Sequence, residues 1–170
     1  MDTLLAIQTR RSVRKYTEAR LDEEKLDAIL RAGMAAPSAG NSQCWRFVVV
    51  DDKKLLSTIA SLSPYAGMAA AAPLAIVVCA DLKAEKYPGF WVQDCAAAMQ
   101  NMLLAAHALG LGAVWCGIHP DKEREAAFSQ AFNLPPNYAV FGLMVCGYPV
   151  DAPPPADRFD SAKVCHNQYK

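Results

Sequence analysis

The sequence predicts a single domain that combines helices with a sheet covered on both faces, of the α+β or α/β class. Three observations carry this. The chain has 170 residues, the size of one domain with a sizeable core. Hydrophobic residues make up 53% of it and charged residues 20%, the balance of a globular chain rather than a disordered one. Helical and strand-like stretches alternate without an internal repeat or a convincing linker, and "LAIVVCA" is apolar on both faces, as a doubly covered strand requires.

Taken in order, "DTLLAIQT" reads as a short helix. Asp22 is placed as the N-cap of a second, with Glu23 and Glu24 in a first turn where carboxylates suit the helix dipole. Leu26, Ile29, Leu30 and Gly33 recur at helical spacing until Pro37 forces a stop. "SAGNSQ" is turn-forming, "CWRFVVVD" a strand and "DKKLLSTIAS" a surface helix. From Gln93 to Leu109 an Ala- and Leu-rich helix with a narrow polar face ends at Gly110 and predicts central, all-round packing. "GAVWCGI" is a strand, "PDKEREAAFSQAF" a helix with Pro120 in its first turn, and "YAVFGLMVCGYPV" the last long strand. The tail from Asp151 to Lys170 holds Pro153, Pro154 and Pro155 and few apolar anchors. A partner subunit is the surface expected to order it, which predicts a homodimer.

Composition excludes several function classes. Seventeen basic residues balance seventeen acidic ones, which argues against a nucleic-acid footprint spread over a face. No apolar run approaches the ~20 residues of a membrane span. "MDTLLAIQTRR" carries its charge after the apolar stretch, unlike a secretory signal, so a cytoplasmic location is expected. The six cysteines lie far apart without a CxxC pair, mostly in apolar runs, and read as small buried hydrophobes in a reducing compartment. Cys116 with His119, and Cys165 with His166, lack the companions of a zinc site, so no metal is expected.

Against this neutral background, Arg10-Arg11-Ser12-Val13-Arg14-Lys15-Tyr16 concentrates four cations and a hydroxyl in seven positions. If extended, the run puts Arg10, Ser12 and Arg14 on one face and Arg11, Val13 and Lys15 on the other. Two guanidiniums flanking a hydroxyl suit a phosphate; a solvated basic turn paired with surface carboxylates is the alternative. Two further polar islands stand out. "APSAGNSQCWRF" sets Pro37, Ser38, Asn41 and Gln43 between a helix end and a strand, and "GLGAVWCGIHP" ends a strand in small residues beside a large aromatic, where glycine admits a flat ligand. Walker A, GxGxxG and GxSxG motifs are absent. His107 reads as core and His166 lies in the tail, so His119 alone is left for acid–base chemistry.

Together the three islands resemble the nitroreductase family of FMN-dependent NAD(P)H oxidoreductases, in its short form. Arg10 to Tyr16 matches its Arg-Arg-Ser-x-Arg-x-Tyr/Phe opening. Pro37 to Trp45 matches Pro-Ser-x-x-Asn-x-Gln-Pro-Trp, with Cys44 in place of the second proline. "GLGAVWCGI" and "DRFDSAKV" correspond to later segments, so the resemblance spans nearly the whole chain. It implies an α+β fold, a mixed central sheet flanked by helices, and an intertwined homodimer with FMN at the interface. It also implies that Arg10, Ser12 and Arg158 bind the FMN phosphate, with help from Arg11, and that Arg14 lies near the pyrimidine edge of the flavin. Pro37, Ser38, Asn41 and Gln43 would reach the ring from the other subunit. Trp115, Cys116, Gly117 and Ile118 would line its opposite side, with a backbone N–H around Gly117 donating to N5. Two departures are notable: Cys44 loosens its loop and sets a thiol near the pocket, and "SPYAGMAAAAP" is apolar where longer members are polar. The implied chemistry is ping-pong hydride transfer from NAD(P)H to a nitroaromatic, quinone or similar small acceptor, with no side-chain acid or base. A non-catalytic flavin-storage protein of the same fold is the alternative.

Overall fold

The computed structural model describes residues 1–169. Its centre is a four-stranded sheet of β1 (Trp45–Val50), β2 (Leu74–Asp81), β3 (Gly112–Gly117) and β4 (Tyr138–Gly147), in the order β1-β2-β4-β3. Every neighbouring pair is antiparallel. The sheet expected to be mixed is therefore antiparallel throughout these strands, and its parallel component is one isolated bridge between Ser12 and Ala113. The reason is topological. β2 and β3 run in the same direction and are joined through the long helix, but β4 inserts between them, so neither meets a parallel neighbour.

Helices α2 (Glu23–Met34), α3 (Lys53–Leu62), α4 (Trp91–Ala108) and α5 (Lys122–Ala131) cover the sheet, and the N-terminal helix α1 (Thr3–Thr9) packs on α4. Strand alternation divides the core in two. Ile76 and Val78 of β2 face α2 and α4, packing with Ile29, Met99 and Met102. Val77 and Cys79 face the other side, with Leu56, Ile59 and Phe128 of α3 and α5. This explains the unbroken apolar run of β2, which is buried from Leu74 to Ala80. Gly33 lets α2 approach α4, since a Cβ there would lie 2.9 Å from Met102 Sδ and 3.2 Å from Phe47 Cζ. No helix is long and apolar enough to cross a membrane, among the described residues.

Several boundaries differ from the sequence reading. Helix α4 starts at Trp91, two residues early, because Glu85 Oε1 accepts the Trp91 N–H at 2.8 Å and caps it from outside. Asp22 occupies the N-cap position of α2 without a side-chain capping bond; its carboxylate accepts the Tyr148 hydroxyl at 2.8 Å instead. Pro120 lies outside α5, whose N-cap is Asp121. β4 ends at Gly147 rather than running to Val150.

The basic run enters the fold along the outer edge of β3. Val13 N–H donates to Ala113 O at 3.0 Å, and the Val13 side chain is only 5% exposed. The Tyr16 hydroxyl donates to the Val13 and Val145 carbonyls, locking the run to β4 as well. Gly112 makes the docking possible: a Cβ there would fall 2.6 Å from Val13 Cγ1 and 3.1 Å from Pro149 Cβ. Val13 is β-branched and enclosed, so it has no low-cost escape. Gly112→Ala is expected to destabilise the protein by about 1–3 kcal/mol through overpacking. A lowered urea midpoint would show this, and an unchanged midpoint would mean the contact is slack.

Candidate functional site

Helix α1 ends at Thr9, and Arg10 is its C-cap with extended backbone. That ending changes the side-chain alternation. Arg10 and Arg11, expected on opposite faces, both line one cleft of about 610 Å³, together with Gln8, Arg158 and Phe159. Ser12 is not in its lining; its backbone pairs with Ala113 instead. Burial lowers the Arg10 pKa, and the like charges of Arg11 and Arg158 lower it further. The lining has one carboxylate, Asp157, which accepts the Phe159 N–H at 3.0 Å. Three guanidiniums against one acid make a site short of negative charge. The tail is tied here by Arg11 Nε donating to Pro154 O at 2.7 Å and by the Lys15–Asp151 pair at 3.3 Å. His107, read as core, is half-buried and meets Thr9 Oγ1 through Nε2 at 2.8 Å. Its pKa is lowered by burial and by Arg10.

Beyond Val13 the run leaves the edge of β3, and a second cleft of about 510 Å³ lies there. Arg14, Tyr65, Met68, Trp115, Cys116 and Gly117 line it. Gly117 presents an open face, since a Cβ there would meet nothing within 4 Å. Ile118, expected beside these residues, is buried in the core formed with α3 and α5. The Cys116 thiol donates to Tyr65 O at 3.2 Å, and burial raises its pKa, so it stays neutral. His119 is turned to Glu125, with Nδ1 2.7 Å from Oε1, and its ring meets Trp91 edge-on at 4.8 Å.

Pro37, Ser38, Asn41 and Gln43 line neither cleft. Their loop holds a one-turn 3-10 helix, Ala39–Asn41, with Asn41 and Gln43 in the left-handed region at φ 54° and 49°. Gln43 borders a third depression with Trp45, Arg46 and Phe47. The loop is organised by a residue the sequence reading missed. Asp94, on α4 and only 3% exposed, accepts the Ala39 N–H at 2.9 Å and the Ser42 hydroxyl at 3.0 Å. Cys44 Sγ lies 3.7 Å from the same carboxylate, so the position expected to loosen the loop is anchored. A lone acid in the apolar run "QDCAAAM" was the available signal. Arg124 was also missed: it donates to the carbonyl of Gly117, a residue of the second cleft, at 3.0 Å.

Residues 7–66 and 60–148 match the profile of the Nitroreductase family. The chain is 46% identical over 164 residues to a Methanothermobacter thermautotrophicus protein provisionally named NADH dehydrogenase/NAD(P)H nitroreductase, covering 96% of this chain and 86% of the relative. A solved structure from Parabacteroides distasonis with the same provisional name superimposes with a TM-score of 0.94 at 38% identity, over 98% of both chains. A provisionally named nitroreductase from Desulfovibrio desulfuricans, solved in complex with FMN, gives 0.87 at 32% identity, covering 100% of this chain and 99% of that one.

Asp94→Ala would leave the Ala39 N–H and the Ser42 hydroxyl without their acceptor. A loss of about 1–3 kcal/mol is expected, with faster proteolytic cleavage between Pro37 and Cys44. Unchanged cleavage at that loop would show that Asp94 does not hold it.

Proposed function

Since the chain belongs to the nitroreductase family, we propose that it is an FMN-dependent oxidoreductase passing electrons from NAD(P)H to a nitroaromatic, quinone or similar small acceptor. The observation that carries this is the convergence of Arg10, Arg11 and Arg158 on one cleft. Like charges brought together in a partly buried place repel, and a phosphate dianion with forked acceptors relieves that repulsion. The donor set thus fits the FMN phosphate, and the relative solved with FMN supports the choice of flavin.

Arg10, Arg11 and Arg158 would hold the phosphate, while Ser12, paired with Ala113, stands outside the lining of this cleft. Arg14 places positive charge in the second cleft, where it favours an anionic reduced ring. Trp115 and Gly117 offer a flat wall that a ring system can approach closely. FMN, when bound, supplies hydride acceptance and donation at its N5 position. The protein's own part is orientation and charge. Cys116 is engaged with Tyr65 O, and His119 is engaged with Glu125. NAD(P)H and the acceptor would use one opening in turn, giving ping-pong kinetics.

The same reading calls for a homodimer. Pro37, Ser38, Asn41 and Gln43 stand apart from both clefts within one chain, so their contribution to the ring would come from a second copy. Residues 150–169 are all exposed, with Phe159 at 80% and Tyr169 at 88%, and a partner subunit would cover them.

Arg10→Ala and Arg158→Ala are each expected to weaken FMN binding about tenfold to a hundredfold, the loss of a charge-assisted contact. Riboflavin, which lacks the phosphate, should bind both variants as it binds the wild type. Flavin fluorescence titration measures both affinities. Equal FMN affinity in wild type and Arg10→Ala would sink the clamp assignment.

A further inference from the structure

A smaller cavity of about 210 Å³ adjoins the arginine cleft, and Thr9 and Arg11 line both. His107 lines the smaller one, beyond that shared wall. Its bond to Thr9 has a direction. The Thr9 hydroxyl has one hydrogen, and gives it to Leu5 O at 2.6 Å. Thr9 Oγ1 therefore accepts from His107 Nε2–H across 2.8 Å. That fixes the tautomer of the neutral ring and leaves Nδ1 as the nitrogen that takes a proton.

The bond also holds α1 in place. Seven residues are too few for a helix to be stable without tertiary support, and Thr9 is the last of them. Leu4, Leu5 and Ile7 are exposed, which leaves Ala6 as the buried apolar contact of α1. His107 thus ties to α4 the residue immediately before Arg10.

The charges facing the ring are of one sign. Arg11 and Met1, with its amino group, line its cavity, and among the described residues the lining has no carboxylate. Asp151, next to the lining residue Ala152, is paired with Lys15 at 3.3 Å. Helix α4 carries no other charged side chain after Asp94. His107 lies in the last turn of α4, where the helix dipole favours a cation. Burial opposes this and lowers its pKa, and the charge of Arg10 lowers it further. A phosphate seated on Arg10 would cancel the second of these influences.

We infer that His107 is a proton-linked support of the arginine clamp: through Thr9 it fixes where Arg10 leaves α1, and it takes up a solvent proton at Nδ1 when a phosphate monoester binds. This rests on the clamp reading above. The linkage is reciprocal, so protonated His107 favours phosphate by the same factor by which phosphate favours protonation. The phosphate of FMN loses its second charge below about pH 6, which weakens binding as pH falls. The His107 contribution runs the other way and grows as pH falls through the midpoint of the ring.

The test follows the ring directly, by NMR pH titration of the full chain labelled with ¹³C-histidine. It is run on the protein alone, with saturating FMN, and with saturating riboflavin, which shares the ring system but lacks the phosphate. FMN should raise the His107 midpoint by about half to one pH unit, and riboflavin should leave it in place. His107→Gln keeps an N–H for Thr9 but cannot titrate. The ratio of wild-type to His107→Gln affinity for FMN should therefore rise about threefold to tenfold from about pH 8 to about pH 5. Thr9→Val removes the acceptor and should weaken FMN binding about threefold at about pH 8, with riboflavin unaffected. The wild-type titration needs no variant and decides the matter if the substitutions prevent folding. A His107 midpoint that FMN leaves where riboflavin does would overturn the inference while the clamp reading stands. Equal FMN affinity in wild type and Arg10→Ala would instead overturn the clamp reading beneath it, and a wild-type chain that takes up no FMN would overturn both.

Discussion

Much of the architecture turns on the contact between Val13 and the edge of β3. Val13 donates its N–H to Ala113, and its side chain fills the space left open at Gly112. This buries one apolar residue in the middle of a run of cations and fixes the chain direction on either side of it. Before it, Arg10 and Arg11 turn into the cleft shared with Arg158. After it, Arg14 turns into the cleft under Trp115. A single strand-edge pairing thus distributes one basic cluster between two depressions.

Two irregular segments are each held by a single charged group at low exposure. Asp94 reaches from α4 to hold the Pro37–Cys44 loop through a backbone N–H and a hydroxyl. Arg124 reaches from α5 to the carbonyl of Gly117. In both cases a helix, rigid because its face is packed on the sheet, carries the ion, and an irregular segment receives it. Shielding from water makes such contacts stronger and their loss more costly than at an open surface. Irregular segments gain order in this way without having to bury apolar side chains of their own.

The thiols show how far the chemistry is withheld from the side chains. Burial pushes Cys79 and Cys146 up to about 12, and Cys116 is raised as well. Cys44 is lowered through its hydrogen bond with Cys95, but it sits fully buried beside the Asp94 carboxylate. Tyr16 is pushed up by burial, with its hydroxyl engaged by two carbonyls. Cys165 in the tail is the exposed exception; the other five thiols are buried in the fold.

By itself the sequence determined the elements and the family. Apolar patterning marked the five helices and four strands found among the described residues, because burial selects residue types at 3.6- and 2-residue spacing whatever the partners are. The run Arg10–Tyr16 suggested an anion clamp because its residue types are local in the chain, and the resemblance of Pro37–Trp45 to a family motif implied a ring-binding loop. Tertiary structure alone decided the rest. That β4 would separate β2 from β3 and make the sheet antiparallel depends on topology, to which periodicity is blind. That Arg10 and Arg11 would share a cleft depends on where α1 stops. The roles of Asp94 and Arg124 come from contacts 55 and 7 residues away in the chain, to Ala39 and Gly117. A polar side chain records in its identity that it needs a partner, but only the folded chain, by bringing distant backbone within hydrogen-bonding reach, decides which partner that is.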